Sequence, residues 1–245
     1  MPPQKIISLV PSLTELLFDL GIGNSVIGRT RFCVHPEKEV QNVPIIGGTK
    51  NPRIDKIKAL QPGLIIANKE ENHKEDIEEL EVDFRVLVTD ISTIEEALFA
   101  IHEIGAACDV PQQAKKLIKS IQSELQNIPD EPPLSAAYFI WRRPWMSVGR
   151  DTYIHSVLDR WNLENVFSDR TRYPETTLEE LSSLSPDLIM LSSEPFPFKE
   201  KHIAEVGKAC PKSNIVLVNG EWFSWYGSRM LKSFRQLNIL RKAIS

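Results

Sequence analysis

Ile54-Asp55-Lys56-Ile57-Lys58-Ala59-Leu60-Gln61-Pro62-Gly63-Leu64-Ile65-Ile66 contains a complete helix-to-strand unit. Residues 54–60 are amphipathic with helical spacing, and Pro62 stops the helix. Leu64-Ile65-Ile66-Ala67 is then an unbroken apolar run. A strand apolar on both faces belongs to a parallel sheet covered on both sides. The same phrase returns as Leu178-Glu179-Glu180-Leu181-Ser182-Ser183-Leu184-Ser185-Pro186-Asp187-Leu188-Ile189-Met190, with leucines, proline and isoleucine in register. A second echo precedes it in both halves: Leu20-Gly21-Ile22-Gly23-Asn24-Ser25-Val26 against Trp161-Asn162-Leu163-Glu164-Asn165-Val166. Two echoes in one order predict two similar α/β lobes.

Outward from these phrases the chain keeps alternating. Lys5–Val10 reads as a strand, and Ser12 with Glu15 as a capping box that opens a helix carrying Leu13, Leu16, Leu17 and Leu20. Gly21 or Gly23 ends that helix, and Val26-Ile27-Gly28 is a second strand. Glu75–Leu80 reads as helix and Phe84–Val88 as strand. Ser92 with Glu95 opens a helix to Ala107, and Asp109 with Pro111 and Gln112 opens another with Leu117, Ile118, Ile121 and Leu125 on one face. Asn127-Ile128-Pro129-Asp130-Glu131-Pro132-Pro133 is the strongest boundary. The expected layout is an N-terminal α/β lobe at 1–92, a helical linker at 93–130 and a C-terminal α/β lobe at 131–245. The fold class is α/β: two Rossmann-like lobes with mostly parallel sheets, joined by about one helix, with a ligand cleft between them.

Composition removes several function classes. The 245 residues are 42% hydrophobic and 25% charged, with net charge −4 and the two signs interspersed. A nucleic-acid binder needs a basic face, and none is present. Cys33, Cys108 and Cys210 are odd in number and form no CxxC pair, which argues against a disulfide framework or a thiolate zinc site. No segment approaches the ~18 apolar residues of a membrane span. Met1-Pro2-Pro3-Gln4-Lys5 runs directly into the first strand without the pattern of a secretory leader. The sequence as written therefore predicts a cytoplasmic chain, or a periplasmic or cell-surface one if a leader has been removed. A monomer is expected.

Ligands of parallel α/β sheets sit outside the carboxyl ends of the strands. The segments there hold four of the five tryptophans, as Trp141 and Trp145, and as Trp222 and Trp225 within Glu221-Trp222-Phe223-Ser224-Trp225-Tyr226-Gly227-Ser228-Arg229. Adjacent aromatics point to different sides and suit a wall for a flat, partly apolar ligand better than a core. Arg142, Arg143, Arg229, Lys50 and Lys69 supply positive charge for anionic groups. The histidines 35, 73, 102, 155 and 202 form no HExxH or i,i+4 pair. A metal site of His35 and His73 from one lobe with His155 or His202 and Glu194 from the other is the weaker alternative. No GxSxG elbow, Walker loop or GxGxxG turn marks an enzyme, and Cys33 lies too near His35 in sequence for a dyad. An enzyme using Glu194 or His155 as general base on a small anion is the rival from another class. Glu70-Glu71 and Glu78-Glu79 read as solvated faces.

Several motifs together identify a family. They are Ile6-Ile7-Ser8-Leu9-Val10-Pro11-Ser12-Leu13-Thr14-Glu15, Gly47-Gly48, Leu60-x-Pro-x-Leu-Ile, Gly149-x-x-Thr152, Glu164-Asn165-Val166-Phe167 and Leu184-x-Pro-Asp-Leu-Ile189. The chain resembles, over almost its whole length, the class III substrate-binding proteins of ABC importers. Within these it is most similar to cobalamin-binding and iron–siderophore-binding proteins of the helical-backbone type. The resemblance implies two lobes on a stiff backbone helix, a ligand between them, no catalysis, no cofactor or resident metal of the protein's own, and an ABC permease as partner. It implies a ligand wall at Glu221-Trp222-Phe223, to which the reading of the residues adds Trp225, Tyr226, Trp141 and Trp145. Phe32 takes the place of the family's aromatic after the second strand, and His35 stands where another aromatic is common. Asn68 stands where a cobalamin binder carries a stacking tryptophan. One exposed acid per lobe docks on the permease, here Glu75 and either Glu200 or Glu205. The expected ligand is corrinoid-like, with a ferric siderophore, haem or a metal ion as alternatives, any metal entering as part of the ligand.

Overall fold

The computed structural model describes residues 5–244. The first half carries β1 (Ile6–Ser8), α1 (Pro11–Asp19), β2 (Val26–Arg29), α2 (Ile54–Leu60), β3 (Leu64–Asn68), α3 (Lys74–Glu81) and β4 (Val86–Thr89). Two helices follow, α4 (Ile94–Ala107) and α5 (Pro111–Gln126). The second half carries β5 (Leu134–Phe139), β6 (Trp145–Met146), α6 (Tyr153–Arg160), β7 (Leu163–Asn165), β8 (Glu175–Thr176), α7 (Leu178–Leu184), β9 (Leu188–Ser192), α8 (Glu200–Ala209), β10 (Asn214–Val218), α9 (Glu221–Ser224) and α10 (Arg229–Ala243).

Two four-stranded parallel sheets organise these elements, in the orders β2-β1-β3-β4 and β10-β9-β5-β7. Counted within its own half, each sheet has the order 2-1-3-4. The α/β class with parallel sheets is as expected, and the two halves share one topology. A short antiparallel pair, β6 with β8, is additional. Crossover helices cover the faces, which is why β3 and β9 are buried along their whole length.

The quoted phrases fold alike in detail. Both α2 and α7 end on a residue in the left-handed region, Gln61 at φ 47° and Ser185 at φ 46°. Neither is glycine, and each turns its side chain back onto the helix. Gln61 Nε2 donates to Lys58 O at 2.8 Å, and Ser185 Oγ donates to Ser182 O at 2.8 Å. Ile57 and Leu181, equivalent in the repeat, are buried in their respective cores, as are Ile65 and Ile189. The second echo is also a helix stop: Gly21 (φ 82°) follows α1 and Asn162 (φ 54°) follows α6.

Several boundaries differ from the sequence reading, three of them instructively. The helix α1 begins at Pro11 with Val10 before it and no side-chain cap, so Ser12 and Glu15 are not a capping box. Proline at the first helical position fixes φ for a helix start, which places apolar Val10 and not Ser12 at the cap, and Glu15 uses its carboxylate elsewhere. The helix α4 begins at Ile94, so Thr93 rather than Ser92 precedes it. The strand β4 is Val86–Thr89, starting two residues after Phe84.

The chain divides into two compact units. One comprises the chain through Ile91 with Glu95–Gln122 and Tyr226–Leu231, and the other Ser92–Ile94, Ser123–Trp225 and the chain from Lys232. The division falls inside α5 and inside α10. Among the described residues no helix is long and apolar enough to cross a membrane.

Candidate functional site

In the second unit, the segments after β5, β9 and β10 are tied into one surface by the loop that follows β9. Ser192 closes β9; its Oγ accepts from Tyr138 Oη at 3.1 Å and donates to Glu194 O at 2.6 Å. The carboxylate Oε1 of Glu194 accepts from Ser224 Oγ at 2.7 Å and from the Trp225 indole Nε1 at 3.0 Å. Gly220 lets this happen, because a Cβ there would lie 2.4 Å from both Glu194 Cγ and Ser192 Oγ. Its amide donates to Ser193 Oγ at 3.0 Å. The Glu194 carboxylate is thus engaged by an indole and a hydroxyl.

On the other side of the same loop, Phe196 meets Trp141 edge to face at 5.7 Å, and Phe196 N donates to Ile140 O at 3.2 Å. Trp141 is 39% exposed. One loop therefore carries Trp225 through Glu194 and Trp141 through Phe196. Sequence reasoning missed Phe196, Ser224 and Gly220. The first was signalled by Phe196-Pro197-Phe198 directly after a strand.

Other residues expected in the wall do different work. Phe223 is 1% exposed, its ring 4.9 Å from that of Tyr138, so it is core and not wall. Trp145 stacks on Phe198 at 5.8 Å and meets Phe139 edge-on at 5.3 Å, which makes it packing against the second unit's core. Arg142 forks onto Glu205 at 2.9 and 2.7 Å. The two charges engage each other, and the guanidinium holds the Glu205 carboxyl below its ordinary range. Trp222 is half-buried on α9, and Arg143 is exposed.

In the first unit, Asn68 is buried at the end of β3 and builds the turn beyond it. Its Nδ2 donates to Thr89 Oγ1 at 3.1 Å, and its Oδ1 accepts from the amide of Glu70 at 2.9 Å. Asn72 answers, accepting from Asn68 N and donating to Thr49 O, both at 2.9 Å. Asn68 thus builds the turn after β3. Lys50 donates to Glu70 O, and Lys69 pairs with Asp90 at 2.7 Å. Phe32, 55% exposed, is this unit's outward aromatic beyond β2, with His35 half-buried after it. Arg229 forks onto Glu15 at 2.7 Å through both Nε and Nη2, the two side chains 14% and 5% exposed. Tyr226 is buried. Arg229 and Tyr226 therefore belong to this unit's structure.

A model of the periplasmic binding protein family matches residues 6–211. The chain belongs to the periplasmic binding protein family. An ABC transporter substrate-binding lipoprotein of Bacillus subtilis is 30% identical over 77% of the chain, the match spanning 63% of that relative's length. A vitamin B12-binding protein of Pectobacterium carotovorum is 23% identical over 99% of the chain and 90% of the relative. Among solved structures, the periplasmic vitamin B12 binding protein of Vibrio cholerae aligns with a TM-score of 0.85 at 20% identity, covering 99% and 98% of the two chains. A periplasmic heme-binding protein of Roseiflexus aligns at 0.81 and 17%, covering 98% of each.

As a member of the periplasmic binding protein family the chain is a binding protein and not an enzyme. Its thiols fit that role. Cys33, Cys108 and Cys210 are free and buried, and burial pushes each thiol up, that of Cys108 to about 11. Among the described residues no group of three or more His, Cys, Asp and Glu is placed to hold a metal ion. The histidines weighed for one have separate surroundings. His35 and His73 lie in the first unit, His155 faces Asn165 at 3.3 Å, and His202 Nδ1 accepts from Lys199 N at 2.8 Å.

Proposed function

We propose that this periplasmic binding protein captures a corrinoid-like macrocycle and delivers it to an ABC permease from outside the cytoplasmic membrane. The observation that carries the reading is the pair of indoles, Trp141 and Trp225, held at the carboxyl ends of the second unit's strands by one loop. Flat apolar faces with one polar edge suit a macrocycle whose plane is apolar and whose rim is polar. Phe32 with the half-buried His35 after it in the first unit, and Trp222 with the exposed Arg143 in the second, are each unit's further candidates for ligand contact. Vitamin B12-binding relatives spanning nearly the whole chain support the corrinoid over other macrocycles. Asn68, occupied with its turn, leaves the first unit with less stacking surface than the family's cobalamin binders.

The permease would be met by Glu75 and Glu200, exposed acids in the first turns of α3 and α8. Glu205, engaged by Arg142, is not the second docking acid. The protein acts as a monomer with a small-molecule ligand and carries no cofactor of its own.

Tryptophan fluorescence titration tests the ligand directly. Cobalamin or cobinamide should quench with one-to-one stoichiometry at micromolar protein, with Trp225→Phe and Trp141→Phe binding more weakly. Quenching by hemin or a ferric siderophore alone replaces the corrinoid with that ligand. Quenching by none of the four overturns the reading.

A further inference from the structure

Trp225 has a hydrogen-bonded partner of an unusual kind for a residue offered to a ligand. Its Nε1–H points into the protein, at the carboxylate of Glu194, 3.0 Å away. That same oxygen accepts the Ser224 hydroxyl at 2.7 Å, and Ser224 Oγ lies 3.0 Å from Gly220 O. The backbone on both sides is equally constrained. Ser193 N donates to Val218 O at 2.9 Å, and Ser192 Oγ lies 3.2 Å from the Glu194 amide. Gly220 brings the two loops to van der Waals contact with Glu194 and admits no larger residue without a shift. The carboxylate therefore sits in a bracket of two strand ends, β9 and β10, and its geometry is set by rigid elements.

We infer that Glu194 is a positioning residue whose carboxylate fixes the Trp225 indole plane before ligand arrives. An indole free to rotate about two χ angles must be ordered on binding, which weakens association. An indole already held by a charge-assisted hydrogen bond presents its face at no such cost. The same bond turns the indole's only donor away from the ligand, so that Trp225 offers a purely apolar face. A ligand stacking there is selected for a flat apolar plane and gains nothing from a hydrogen-bond acceptor at that point. The inference rests on the macrocycle reading for its ligand, and on the Glu194–Trp225 geometry alone for the clamp.

The test separates the two. In the ligand-free protein, the indole N–H resonances are recorded by 15N-correlated NMR, with Trp225→Phe identifying the signal that belongs to Trp225. Glu194→Ala should move that signal toward the free-indole position and speed its exchange with water by about tenfold, the loss expected for one charge-assisted hydrogen bond. Glu194→Gln, which keeps an acceptor at the same place, should leave most of the effect intact. Ser224→Ala should change it little, which guards against a general collapse of the loop. Dissociation constants for cobinamide and hemin are then measured on the same proteins. Glu194→Ala should weaken binding about tenfold, Glu194→Gln much less, and the double variant Glu194→Ala/Trp225→Phe no further than Trp225→Phe alone. An unmoved indole signal in Glu194→Ala overturns the clamp whatever binds. Additive losses in the double variant overturn positioning and make Glu194 a direct ligand contact. A wild-type protein that binds neither probe, with the indole signal moving as expected, overturns the macrocycle reading and with it the role in binding, while the clamp stands.

Discussion

Phe223 and Trp225 are two residues apart and have opposite duties. The four-residue helix α9 turns Phe223 inward onto Tyr138 and leaves Trp225 at its end, where Glu194 can reach the indole. Phe223→Ala should therefore cost about 3–5 kcal/mol of stability, as for other buried aromatics cut to alanine, read as a lower urea midpoint. Phe223→Leu, which keeps the core filled, should bind ligand like wild type. An unchanged midpoint in Phe223→Ala would place its ring outside the core. The aromatic cluster was legible in the sequence as a place. Which ring faces which way was not, because neighbouring side chains on an irregular segment have no fixed period. Charge was less legible still. Arg142 and Arg229 looked like ligand anchors, yet each finds a carboxylate distant in sequence, Glu205 and Glu15. The Glu15–Arg229 pair is nearly dry, so Arg229→Ala, which strands a buried charge, should cost about 3–5 kcal/mol. Replacing both partners with Met and Leu should cost clearly less, and equal losses in the single and double variants would contradict the pairing.

At the scale of elements, the repeated phrase told most. It located α2 and α7 and the starts of β3 and β9 to the residue, since a proline stop and a continuous apolar run are local signals, while both strands run one or two residues further than the quoted runs. The left-handed residues between them, Gln61 and Ser185, are the same device twice. Glycine adopts that conformation without steric penalty, so Gln61→Gly and Ser185→Gly should each raise stability by up to about 1 kcal/mol, less the side-chain hydrogen bond given up. Helix starts were harder to place, because capping depends on which partner the fold supplies. The start of α8 shows this and carries a pH dependence. His202 Nδ1 accepts the Lys199 amide at 2.8 Å, which only a ring unprotonated at that nitrogen can do. Burial, then the nearby Lys201 and Arg142, hold its pKa below the usual imidazole value, against Glu205, while Lys199 adds to the lowering. A folded pKa below the unfolded one stabilises at pH above about 6.5, and that stabilisation is lost as pH falls through the folded value. The urea midpoint should thus fall from pH 7 toward pH 5, and His202→Asn should flatten the fall. A slope unchanged by that substitution would remove His202 as its source.

At the scale of the molecule, the two sheets share the order 2-1-3-4, so each strand of one sheet has a counterpart in the other. The helices α3 and α8 both follow the third strand of their sheet, and both expose an acid in the first turn, Glu75 and Glu200. That correspondence was half-legible: the echoes predicted two lobes of one design, while the interlacing of units at Ser92–Ile94 and Tyr226–Leu231 depends on contacts distant in sequence and left no local mark. An acid at a helix N-terminus is favoured by the helix dipole and needs no partner within its own unit to be stable. It is therefore free to serve a basic surface elsewhere. Charges at the rim of an interface govern encounter and salt sensitivity more than the affinity of a remote pocket. If Glu75 and Glu200 are the two docking acids, each replaced by Gln should slow uptake in proteoliposomes containing the ABC permease for the same ligand. The double variant should lower uptake by about tenfold at low salt, with the difference shrinking as ionic strength rises. Ligand affinity should stay within about twofold throughout, because both acids lie on helices and not on the Trp141–Trp225 surface. Glu205→Gln should act differently, releasing Arg142 and lowering stability. Uptake that falls for Glu205→Gln and not for Glu200→Gln would move the second docking point to Glu205.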